Sequence, residues 1–137
     1  MAKVSRTAPC GRAEARTRAK AATAYLEVAV LVLDEPAVDE LLTVAAGNAV
    51  LAGVAASDAI CCVRLGRRHR GADHRRAGEL LRTATPDGKG LATTLARLLD
   101  LKDEAHYGVM VVSSRKAKEA VKWASVLVER AAEEIDR

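Results

Sequence analysis

Phenylalanine is absent from this chain of 137 residues, and Tyr25, Tyr107 and Trp123 are its only aromatic side chains. A protein that holds single-stranded nucleic acid by stacking successive bases needs more rings than that. Alanine supplies much of the hydrophobic share. Alanine favours helix, whereas aromatic and β-branched residues favour strand, so the balance predicts an all-α protein. Cysteine is scarce: Cys10, Cys61 and Cys62 are odd in number and two of them are adjacent. That argues against a disulfide framework and fits a reducing cytoplasm. No charged-then-apolar leader opens the chain. There is no glycine-rich phosphate loop, no paired-carboxylate signature and no Ser-His-Asp arrangement. His69, His74, His106, Cys61 and Cys62 match no familiar zinc-ligand spacing. The expectation is a protein without metal or cofactor.

What the chain does have is residues 41–63, apolar all round with Asp58 as the only charge. Such a segment predicts a helix buried on every side, with Leu51 and Ile60 in the core. It is long enough to span a bilayer by count. It is nevertheless rich in Ala and Gly, carries Asn48 and Asp58, and lacks an aromatic belt, which predicts a core helix rather than a membrane span. A buried Asp58 needs a partner, either Arg64 or a residue of a second subunit.

In chain order, residues 1–11 contain Pro9 and Gly11 and read as a flexible basic tail, leaving one domain over 12–137. A first helix is expected over 12–33, with Ala19, Ala22, Leu26, Ala29, Val30 and Leu33 as its apolar stripe. Asp34 caps the next helix, with Pro36 in its first turn. That helix runs over 36–65, about 45 Å at 1.5 Å per residue, and ends at Gly66. Residues 67–71 form a turn, and Asp73 caps a third helix over 74–83. The segment TPDGKG, 85–90, breaks the chain. A fourth helix covers 91–107. A last one, capped by Ser113 or Ser114, runs to 136. No strand with clean alternation is apparent.

The formal net charge is +4 and the pI about 9.2, but the charge is uneven. Arg64, Arg67, Arg68, Arg70, Arg75 and Arg76 fall within thirteen positions, with His69 and His74 among them. Guanidinium forks suit phosphate oxygens, so this cluster is a candidate site for phosphate, RNA backbone or another polyanion. Arg68 and His74 are separated by five residues. An imidazole can exchange a proton with a ribose 2′-hydroxyl or a leaving oxygen, while an arginine stabilises charge on the phosphate under attack. Lys102, His106 and Tyr107 are the alternative constellation; Lys102 and His106, four apart, share one helix face.

The ordering of segments resembles the HEPN domain family, the small helical bundles of prokaryotic toxin–antitoxin and defence systems. The resemblance rests on an early helix, a long helix reading NAVLAGVAASDAIC, a G-x-D-H turn at 71–74, LLDLKDEAHYG at 98–108, and a serine-capped, Ala-rich last helix. It implies a bundle of four to five helices with a long central second helix, commonly a homodimer. Active members are metal-independent ribonucleases with an Arg-x4–6-His motif, which Arg68 to His74 matches. Many pair with a minimal nucleotidyltransferase as antitoxin. In many active members the motif lies in a later helix; there this chain reads Lys102 to His106, with lysine for arginine and one residue fewer. A branch thought to lack catalysis reads Leu-Arg-x-x-Ala-Asp-Tyr at that place, and Leu101 to Tyr107 is similar to it. The resemblance therefore implies either an RNA-cleaving enzyme or a non-catalytic module that binds a nucleotide, nucleic acid or partner protein.

Overall fold

A helix with no polar face must be surrounded, and the arrangement of the chain follows from that requirement. The structure is a computed structural model that describes residues 6–34, 39–71, 73–102, 105 and 112–137. Its elements in order are β1 (Thr7–Pro9), α1 (Arg12–Asp34), α2 (Asp39–Leu65), β2 (Arg67–His69), α3 (Arg75–Ala84), α4 (Gly88–Asp100) and α5 (Ser114–Asp136). Helix α2 is central and touches each of these four other helices among the described residues. The fold is the expected all-α bundle with a long second helix, plus a small two-stranded ribbon. Although α2 is long and apolar enough to cross a membrane, most of it is buried inside the bundle.

Small residues let the helices approach closely. Ala22 and Ala29 of α1, Ala45, Ala46, Ala49, Ala52, Ala55, Ala56 and Ala59 of α2, and Ala117, Ala120 and Ala124 of α5 are fully buried. Leu95, Leu98 and Leu127 fill the space between α2, α4 and α5. Ile60 is in the core as expected, but Leu51 is 38% exposed. It lies on the same side of α2 as Val44, seven residues earlier and also exposed, and no described element covers that side. Val30, placed in the stripe of α1, is exposed as well.

Gly66 ends α2 in the left-handed region at φ +68°, the conformation glycine adopts without a Cβ clash. Ser113 caps α5, its hydroxyl accepting from the Lys116 N–H. Three boundaries differ from expectation. Asp34 is the last residue of α1 rather than a cap. Helix α4 starts earlier, at Gly88, and ends earlier, at Leu101, whose N–H turns back to the Leu98 and Leu99 carbonyls. The early start needs glycine: a Cβ on Gly88 would lie 2.3 Å from the Arg82 carbonyl oxygen.

The larger corrections concern the N-terminal segment. Thr7–Pro9 is a strand, paired antiparallel with Arg67–His69 in the register Thr7 to His69 and Pro9 to Arg67. The ladder continues through the Cys10 N–H to the Gly66 carbonyl at 3.0 Å and the Arg70 N–H to the Arg6 carbonyl at 2.9 Å. The expected loose tail and turn thus complete each other's backbone hydrogen bonds. A three-residue strand is too short to show alternation, so its pairing is set by tertiary contact. The ladder carries Cys10 to the C-terminal end of α2, where it is disulfide-bonded to Cys62 with Cα atoms 5.3 Å apart. This overturns the expectation of unpaired cysteines.

Candidate functional site

The Asp58 carboxylate is the only charge of α2 between Leu41 and Val63. Its partner is Arg18 of α1, not Arg64: Nε donates to Oδ2 at 3.1 Å and Nη2 lies 3.0 Å from the same oxygen. Helices α1 and α2 run antiparallel, so the start of α1 meets the end of α2. Ala13 and Thr17, with Glu14 and Arg18 one residue on, recur at the four-residue spacing that keeps them on one face. Val54 and Asp58 do the same on α2.

Those two faces, the β1–β2 ribbon and the approach to α3 enclose an open cavity of about 670 Å³. It is lined by Ala13, Glu14, Thr17 and Arg18 from α1, Val54 and Asp58 from α2, Arg68 and His69 from β2, and Gly71 and His74 beyond it. Gly71, at φ +123°, turns the chain so that His74 returns to the cavity that β2 also faces. The His69 and His74 rings meet edge to face with centroids 6.3 Å apart.

The cavity is electrostatically mixed. Burial pushes the Asp58 pKa up, and Arg18 offsets part of that rise, as do the charges of Arg68 and His69. Burial lowers the pKa of His74, and the positive charges of Lys102, His69 and Arg18 lower it further. His74 is therefore a neutral imidazole at pH 7. Glu14 is held below its usual range by backbone N–H groups, its own and that of Gly11; the Gly11 N–H reaches Oε2 at 3.0 Å.

The residues expected to form the site divide into two sets. Arg68, His69 and His74 share the cavity, and Arg68 Nη1 donates to the His69 carbonyl at 3.3 Å. Lys102 stands near enough for its charge to act on His74; His106 and Tyr107 lie outside the described residues. The other arginines are dispersed. Arg64 turns to α5 and forms a fork with buried Glu134, Nε to Oε2 at 2.5 Å and Nη2 to Oε1 at 2.9 Å. Arg75 pairs with Asp100 at 2.9 Å and Arg76 with Asp73 at 3.6 Å. Arg67 and Arg70 are exposed. The thirteen-residue cluster is thus not one continuous basic surface.

Sequence reasoning found Asp58 but not Arg18, forty positions earlier, and missed Glu14 and Thr17. Their only signal was spacing on a helix face. Cys61 and Cys62 are placed apart from the histidines: Cys62 is bonded to Cys10, and Cys61 is buried. Burial, with Asp58 adding to it, pushes the Cys61 thiol up to about 12. Among the described residues no group of three or more His, Cys, Asp or Glu side chains is placed to hold a metal ion. No protein-family model matches the chain, and no curated protein sequence matches it.

Proposed function

We propose that this chain is a HEPN-like component of a toxin–antitoxin or defence system, acting on RNA as a metal-independent endoribonuclease. The observation that carries the proposal is the convergence of Arg68, His69 and His74 with Arg18 and Asp58 on one open cavity. The helical bundle with its long second helix supports the same reading. An RNA target belongs to the cytoplasm, where cellular thiols compete with the Cys10–Cys62 bond.

The chemistry follows from the lowered pKa of His74, which favours its neutral form. Neutral His74 accepts the proton of a ribose 2′-hydroxyl. The freed oxygen attacks the adjacent phosphorus, and Arg68 and Arg18 stabilise the negative charge that builds on the phosphoryl oxygens. The bond from phosphorus to the 5′-oxygen breaks, and that oxygen takes a proton from the second imidazole, His69. The products are a 2′,3′-cyclic phosphate and a 5′-hydroxyl. Exposed Val28 and Leu31 on α1 and Val44 and Leu51 on α2 support a homodimer in which a second copy covers these side chains; a monomeric mass by light scattering at micromolar concentration would refute it. A minimal nucleotidyltransferase is the proposed cognate antitoxin.

The test is cleavage of RNA by purified protein in excess chelator. Arg68→Ala and His74→Ala should each lower the rate by about 10²–10⁴-fold with the melting temperature retained. A wild-type protein that cleaves no RNA under these conditions sinks the enzymatic reading. A second reading is then favoured by the ion pairs of Arg64, Arg75 and Arg76. With those guanidiniums engaged, the cavity suits a compact nucleotide better than a long backbone, as in a non-catalytic nucleotide-binding module.

A further inference from the structure

We propose that Asp58 is the group that distinguishes ribose from deoxyribose, its Oδ1 accepting a hydrogen bond from the 2′-hydroxyl of a nucleotide whose phosphate is held by Arg68. This rests on the second reading above, of the cavity as a non-catalytic nucleotide site in which His74 does not take the single 2′ proton, and it assigns that site's sugar specificity. The ion pair with Arg18 engages only one oxygen of the Asp58 carboxylate. The residue is 7% exposed, yet it lines the cavity. Both contacts from Arg18 fall on Oδ2, so Oδ1 keeps its capacity to accept. An ionised carboxylate accepts hydrogen bonds and cannot donate them, and arginine donates without accepting. A ligand here must therefore bring a donor to Asp58 and an anion to the arginines. A ribonucleotide does both, whereas a 2′-deoxyribonucleotide has no 2′ donor. Arg18 also fixes the orientation of the carboxylate, so the preference is built into the helix pair.

Glu14 is the other carboxylate in the cavity, but its Oε2 already accepts the Gly11 N–H and its side chain is exposed. This gives a control. The substitution Asp58→Asn keeps the shape and reverses the polarity: Arg18 claims the single amide oxygen and Nδ2, a donor, turns to the cavity.

The experiment is calorimetric titration of the full chain with nucleoside 3′-monophosphates, which have no 5′-leaving group to cleave. Three sugars are compared: ribose, 2′-deoxyribose and 2′-fluoro-2′-deoxyribose, whose fluorine is a weak acceptor and no donor. Wild-type protein should prefer the ribose form by about tenfold over both others, the scale of one charge-assisted hydrogen bond. Asp58→Asn should bring all three within about threefold, and Glu14→Gln should leave the preference unchanged. Equal binding of the three sugars by wild type overturns the inference while leaving the phosphate site standing. Binding of none of them overturns the nucleotide reading itself. A preference that survives Asp58→Asn, or that Glu14→Gln removes, assigns the sugar contact elsewhere. The fluoro comparison is made on wild type, so a poorly folding Asp58→Asn protein leaves the inference falsifiable: tight binding of the fluoro form requires a donor, not Asp58, at the 2′ position.

Discussion

His74 shows how a residue is prepared for proton transfer by what surrounds it. Its imidazole is half-buried, and Lys102, His69 and Arg18 oppose a further positive charge, which outweighs the attraction of Asp73. Its pKa falls below the ordinary 6.5, so the neutral form is available at pH 7 and is lost only as the pH drops through that lower value. The sign for stability is the same. An unfolded chain binds this proton more readily than the folded one, so acidification from about pH 6.5 disfavours the fold at this residue. Lys102→Met removes one of the opposing charges. A ¹³C-resolved titration of the His74 ring should give a midpoint below 6.5 in the wild type and a higher one in the variant. A wild-type midpoint above 6.5 would contradict the environment described here. The sequence marked both residues, but as members of two rival constellations. It held no sign that a loop and the end of α4 bring them to one place.

At the scale of elements, the ribbon decides the cavity wall. Strand β2 holds Arg68 and His69, while α1 begins two residues after Cys10 and supplies Glu14 and Arg18. The Cys10–Cys62 bond closes a separation of 52 residues. It lies one helical turn beyond Asp58 on α2. Closing a loop of that length removes enough unfolded-chain entropy to be worth about 4 kcal/mol in the chain-entropy model. Cys10→Ser should therefore lower unfolding stability by about 2–4 kcal/mol, measured by denaturant titration without reductant. In excess dithiothreitol the wild type should fall to the same level. Equal stability of the two proteins in oxidising buffer would show that the bond does not form. The long helices were legible in the sequence because α2 and α5 repeat their small apolar residues over many turns. The ribbon was not, since three residues give no period. Nor was the disulfide, because adjacency of Cys61 and Cys62 does not reveal which thiol faces the end of β1.

For the whole molecule, the stretch of charge that first looked like one basic surface serves two purposes on two sides of α2. One side keeps Arg68 for the cavity. On the other, Arg64 from α2, Arg130 and Glu134 from α5 and Asp87 from the turn before α4 form a single network. Glu134 is the only acidic residue there that is fully buried, and Arg130 joins it to Asp87 at 3.0 Å. Hydrogen bonding to Arg64 holds Glu134 down at about 2, and hydrogen bonding to Arg130 holds Asp87 there also. Both carboxylates have folded values below their unfolded ones. They stabilise the molecule above roughly pH 4.5, the unfolded glutamate range, and that contribution is lost as the pH falls toward 2. Glu134→Gln keeps the volume but removes the charge from between two guanidiniums. The expected cost is about 3 kcal/mol at pH 7, since breaking one partner of a buried pair leaves the other charge uncompensated. The difference between variant and wild type should shrink as the pH is lowered from 5 to 2, because protonation makes the wild-type side chain neutral too. Urea titrations at pH 7, 4 and 2.5 read this directly, and a difference that stays constant across them would mean that Glu134 acts through packing rather than through its charge.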